Sequence, residues 1–253
     1  MNRLSQAVVM LLFGGAIVKA TLTDIFLRYV KEGLRPFLIA AGALLIAAAV
    51  MTIWYELRPG SRPDAGEHEH DGHGHDGHEH DGHGHGSHEP RVGWLLILPV
   101  LGLLLVTPPA LGSYSAGQAG SVAVAPADDA NYPPLPAGDP VPIGLLDYAT
   151  RAIFDDGKTL TGRTVQLTGF VAPGPDGEPM LARMVLNCCA ADGRPIKVGL
   201  AGDTSVNAPA DTWVQVVGVY SDRVGKDPVN QADVAYLAVQ SWQQISEPKQ
   251  PYE

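Results

Sequence analysis

Two stretches of this chain decide what it can become. Phe37 to Tyr55 runs for 19 residues, and Val92 to Gly112 for 21, without a charged side chain. As helices, both are long enough to cross the ~30 Å hydrocarbon core of a bilayer. Core helices of soluble proteins are amphipathic and rarely so long and so pure. Leu4 to Val18 is a third uncharged run, short for a span, and Lys19 can snorkel to extend it toward Thr23. Arg3 ahead of it also fits a cleaved signal peptide, but the two further spans favour a retained helix. Residues 1–112 are therefore expected to form a membrane region with three helices, at about 4–23, 37–55 and 92–112. Trp54 and Tyr55 end the second span and Trp94 opens the third, as aromatic anchors at one interface. Pro99, Pro108 and Pro109 soften or end the third helix. Between the first two spans, Asp24 to Pro36 sets Ile25, Leu27, Tyr29 and Val30 among Arg28, Lys31 and Arg35. That pattern predicts a basic amphipathic connector lying along the membrane surface.

The loop between the second and third spans, residues 64–90, holds every histidine of the chain. His68, His70, His73, His75, His78, His80, His83, His85 and His88 alternate in spacings of 2 and 3, with Gly, Asp and Glu between them. Glu67 to Glu89 has no hydrophobic residue, so the tract cannot bury a core and is expected to be disordered without a ligand. Neutral imidazole suits divalent transition ions, zinc foremost, and the interleaved carboxylates add harder donors. A solvated spacer needs polarity but has no need of histidine. The nine residues are therefore read as metal ligands of a buffer-like tract with several exchangeable arrangements.

From residue 112 onward the composition is that of a soluble domain, with 16 acidic against 9 basic side chains and hence a net charge of −7. An acidic surface of this kind argues against a nucleic-acid partner. Residues 113–142, rich in Ala, Gly, Pro and Asp, read as an extended tether. Ile143 to Phe154 places Leu145, Leu146, Ala149, Ala152 and Ile153 at helical spacing, and Asp155-Asp156-Gly157 stops the helix. Five strand signals follow, at Arg163–Val171, Met180–Cys189, Pro195–Leu200, Thr212–Tyr220 and Val234–Trp242. Residues 143–253 are therefore expected to form one helix followed by a small all-β domain, a five-stranded barrel of oligonucleotide/oligosaccharide-binding (OB) shape.

Within that domain the chemistry gathers at Arg183-Met-Val-Leu-Asn-Cys188-Cys189-Ala-Ala-Asp192. Two adjacent cysteines exclude a disulfide framework and a CxxC…CxxC zinc site. They leave two thiols or a strained vicinal disulfide. Neighbouring side chains on a regular strand face opposite ways, so both sulfurs serve one ion only where the strand bulges or ends. Arg183 is placed to lower a thiol pKa. The bland reading is one core cysteine, one exposed cysteine, and Asp192 capping a turn.

Taken together, the N-terminal helices, the His/Asp-rich loop, the proline-bearing third span, GRTVQLTGFV, ARMVLNCCAAD, DTWVQVVGVY and EPKQPYE resemble the YcgQ-like family of permease subunits. The resemblance implies a partnership with a separate multi-pass permease in the same bilayer, related to organoarsenical exporters, and a part in metal homeostasis. Carried over by position, it marks Arg183, Cys188, Cys189 and Asp192 as functional residues. The expected function is an accessory subunit of a membrane permease that gathers or senses divalent transition metal. Two competitors are a membrane-tethered thiol/redox enzyme using the cysteine pair and a stand-alone metal buffer. The enzyme is disfavoured because no histidine outside the tract can act as a base. Positive-inside counting ties at four basic residues for either orientation, and the absence of Lys and Arg from Val92 to Thr150 favours an exported C-terminal domain.

Overall fold

In the computed structural model, residues 3–58, 98, 102, 109–122 and 132–253 are described. They fall into two compact units, one holding the two N-terminal helices and the other joining Thr23–Arg35 to the C-terminal region.

The first unit is a helical hairpin of α1 (Arg3–Leu22) and α2 (Arg35–Leu57). The residues buried between them are small and recur every seventh position: Ala7, Gly14 and Thr21 on α1, Gly42 and Ala49 on α2. Small residues let apolar helices approach closely where water supplies no driving force. A Cβ on Gly14 would lie 2.9 Å from the Gly42 carbonyl oxygen and from the Ile46 side chain. The hydroxyls of Thr21 and Thr52 donate to the carbonyls of Ile17 and Ala48, at 2.7 and 2.8 Å, so neither is left unpaired in an apolar setting. Among the described residues two helices, not three, are long and apolar enough to cross a membrane. Of the expected third span, Leu98 and Gly102 are helical, but Pro109 to Gly112 are not. Prolines end a helix, and Leu111 instead packs against the barrel domain.

That domain is a closed five-stranded barrel of β2 (Thr164–Pro173), β3 (Pro179–Val185), β4 (Arg194–Ala201), β5 (Trp213–Lys226) and β6 (Asp233–Gln244). The order is β2-β3-β4-β6-β5, closed by the β2–β5 pairing, and a two-residue strand β1 (Val141–Pro142) lies parallel to β2. β4 and β6 run parallel, while the other barrel pairs are antiparallel. Alternate residues point inward, as the period of a pleated strand requires. Val165, Leu167, Leu181, Ile196, Val198, Val214, Val216 and Leu237 make the interior. The helix Leu145–Phe154 is packed on this core through Leu145, Tyr148, Ala149 and Ala152. The Tyr148 hydroxyl donates to the Tyr236 carbonyl at 2.6 Å. After the helix, Asp156 and Gly157 take φ of 49° and 65°, and a side chain at 157 would run into the Tyr220 ring.

Much of the expected tether belongs to this domain instead. Ser113–Gln118 is a short helix whose Ser113 amide and hydroxyl bond the Asp211 carboxylate at 2.6 and 2.7 Å. Val122 donates to the Pro195 carbonyl at 2.7 Å. Beneath it lies a buried ion pair, Lys197 Nζ to Asp227 Oδ2 at 2.8 Å, with Lys197 also donating to the Ala119 carbonyl. Ser121 is only 1% exposed. Further on, Arg151 and Arg163 hold the carbonyls of Pro133, Pro136 and Gly138. Alanine, glycine and proline carry no periodicity, and the charged residues that bind this segment are distant in sequence.

The connector departs from expectation too. In place of an apolar face laid on lipid, Phe26 and Leu27 are buried in protein, and Leu27 lines a cleft of about 370 Å³ with Leu186, Gln250 and Tyr252.

Candidate metal centre

Strand β3 ends at Val185, four residues short of the expected Cys189. Its last pairing is Val185 with Arg194, and the chain between them must turn back within a few residues. Asp192 closes the turn: its Oδ1 accepts from the Asn187 amide at 3.1 Å and its Oδ2 from the Cys188 amide at 2.9 Å. Freed from the pleat, the adjacent cysteines bring their sulfurs to 3.6 Å, and both are free thiols. One donor atom from each of Cys188, Cys189 and Asp192 lies within 4.8 Å of the others. This is the strand end that a shared ion needs. Cys188 is exposed, while Cys189 and Asp192 are half-buried.

The hydrogen bond with the Asp192 carboxylate, and then that with Cys189, pushes the Cys188 thiol up to about 11. The same contact, helped by backbone amides, holds the Asp192 carboxyl below the usual carboxylate range. Cys188 therefore carries its proton at neutral pH, and an ion that binds must displace it.

Arg183 does not lower this thiol, contrary to the expectation. Its guanidinium donates to the Gln250 carbonyl at 2.7 Å, pairs with Glu253 at 3.6 Å and lies 6.0 Å over the Trp213 ring. Burial pulls the arginine's own pKa down and Glu253 opposes it. It anchors the C-terminal segment.

That segment is held by contacts that its composition does not announce. Glu253 accepts from the amides of Leu145 and Leu146 at 2.8 and 3.0 Å, capping the start of the helix. The Tyr252 hydroxyl accepts from the Leu111 amide at 3.0 Å and donates to the Arg28 carbonyl at 2.8 Å. Nothing in the polar run EPKQPYE marks these contacts, since each partner is far away in the chain.

The connector meets the cysteine loop itself. Val30 and Cys189 form an antiparallel bridge, in which Lys31 N–H donates to the Cys188 carbonyl at 3.1 Å and Ala190 N–H donates to the Tyr29 carbonyl at 2.7 Å. The Lys31 ammonium also donates to the Leu186 carbonyl at 3.0 Å. The nine histidines, from His68 to His88, lie outside the described residues.

Residues 148–253 match the DUF1980 C-terminal domain. The match spans the barrel, Arg183, the cysteine loop and the C-terminal segment, and it is consistent with the YcgQ-like resemblance. No curated protein and no solved structure matches the chain.

Proposed function

We propose that this protein is a membrane-anchored accessory subunit of a permease, handling thiophilic divalent metal at the edge of an OB-type barrel. The observation that carries it is the convergence of Cys188, Cys189 and Asp192 donor atoms on a loop bonded to the connector between two apolar helices. Two thiolates and a carboxylate suit zinc and its softer relatives. The barrel's strand order, with its parallel β4–β6 pairing, supports the OB assignment.

The connector–loop contact also bears on topology. A connector and a barrel in contact share one face of the membrane. α2 leads the chain away from that face, and the uncharged Val92–Gly112 stretch can bring it back, which restores the third crossing. The histidine tract then lies on the opposite face from the thiols. With no Lys or Arg from Val92 to Thr150, the barrel side is the exported one and the tract is cytoplasmic. Three spans whose cores carry no charged side chain build no polar pathway of their own, so transport requires a multi-pass partner.

Purification from native membranes in mild detergent tests this. A stoichiometric multi-pass permease is expected to accompany the protein. Recovery of the protein alone under every mild condition would leave the stand-alone buffer as the better account.

A further inference from the structure

The thiol loop is held from outside the barrel. Lys31 N–H bonds the Cys188 carbonyl, Ala190 N–H bonds the Tyr29 carbonyl, and the Lys31 ammonium bonds the Leu186 carbonyl. These three bonds fix the backbone on both sides of the two sulfurs. At a metal–sulfur distance of about 2.3 Å, sulfurs 3.6 Å apart subtend about 103° at the ion, close to the tetrahedral angle. Asp192 is pre-oriented as well, because the amides of Asn187 and Cys188 hold its two oxygens and leave lone pairs free. Three protein donors leave one position of a four-coordinate ion open, which is the pattern of an exchanging site and not of a closed structural one.

We infer that the connector residues Tyr29–Lys31 are a positioning element of this site. They hold the loop in the form that takes one thiophilic divalent ion through Cys188, Cys189 and Asp192, with a fourth position open to an incoming ligand. The inference rests on the metal-handling reading above. It couples ion occupancy to the strap that leads directly into α2: what tightens the loop tightens the connector, and the reverse holds by linkage.

The full-length reduced protein in detergent, titrated with cadmium, tests it. Thiolate-to-cadmium charge-transfer absorption reports the sulfurs, and the imidazoles of the histidine tract do not contribute to it. Lys31 has φ −63°, the value proline imposes, so Lys31→Pro removes the amide donor without bending the backbone. Lys31→Ala keeps the amide and loses only the ammonium. In the wild type the sulfur band is expected to level off at the intensity of one two-thiolate cadmium site per chain, with Lys31→Pro weakened on the order of three- to tenfold, as befits a lost hydrogen bond, and more than Lys31→Ala. Cadmium should also slow tryptic cleavage between Arg28 and Arg35 in the wild type, a readout that does not depend on the variant's folding. Equal affinity in Lys31→Pro, or cleavage indifferent to cadmium, overturns the positioning role while leaving the thiol site in place. A wild type without the sulfur band overturns the metal reading itself.

Discussion

The backbone amide of Lys31 donates to the carbonyl of Cys188 at 3.1 Å, joining the segment between two apolar helices to the loop that carries both cysteines. Here β3 ends early and leaves the loop's carbonyl free to accept the bond. The contact sets a candidate metal centre beside the connector segment that precedes α2 in the chain.

If connector and barrel share a face, reporters on each must label together. Gly33 has open space around its Cα, and Tyr114 is 80% exposed. In a Cys188→Ser/Cys189→Ser background, Gly33→Cys and Tyr114→Cys should both react with an impermeant maleimide from outside intact cells. Reaction from opposite faces would break the connector contact, and reaction of both only after lysis would put the barrel in the cytoplasm. Ser121, in the expected tether, is too buried to serve as a reporter.

Tyr252→Phe removes a hydroxyl that serves both the Arg28 carbonyl and the Leu111 amide. Two lost hydrogen bonds should cost about 1–3 kcal/mol. Hydrogen exchange should accelerate at Phe26–Lys31 ahead of the barrel strands. Uniform acceleration, or none, would show that the connector is held some other way.

Burial pushes the Asp227 carboxyl up, but hydrogen bonds from Lys197 and from the Val229 and Ser121 amides outweigh it and hold the group below the usual carboxylate range. A folded-state pKa below the unfolded one stabilises above about pH 4 and is lost as pH falls through the folded value. The urea midpoint should drop in acid, and Asp227→Asn should flatten that drop. Lys197→Met leaves the carboxylate buried without its partner, at a cost of about 3–5 kcal/mol. An acid limb unchanged by Asp227→Asn would remove this pair as its cause.

Gly14→Leu should splay the α1–α2 hairpin, because its Cβ would meet Gly42 and Ile46 at 2.9 Å. Overpacking of this kind costs about 1–3 kcal/mol. Gly15 has nothing within 4 Å of its Cβ direction, so Gly15→Leu is the control. Thermal stability in detergent should fall for the first and hold for the second. Equal behaviour would mean that this crossing point does not hold the hairpin.

The barrel was legible because alternation is a local signal: each of the five expected strands is present, and starts agree within a residue. The ends agree less well: β5 runs six residues past Tyr220 to Lys226, and β3 stops four short of Cys189, where Asp192 closes the turn that the bland reading gave it. The segment around Ser121 misled because its composition is that of a linker, while the Lys197–Asp227 pair that holds it is assembled only by the fold. Arg183 sits near the thiols in sequence, yet on β3 it turns to the C-terminal segment. The connector's basic amphipathic pattern fits a membrane surface and a protein groove equally well, so only the fold distinguishes them.

In the proposed site Cys188 and Cys189 jointly hold one ion. X-ray absorption on the zinc-loaded, reduced full-length protein with all nine tract histidines changed to serine tests it most directly. Two sulfur scatterers at about 2.3 Å with lighter atoms at about 2.0–2.2 Å are expected, and the sulfur shell should vanish in Cys188→Ser/Cys189→Ser. A zinc shell made only of nitrogen and oxygen, with both thiols reduced and free, would contradict it.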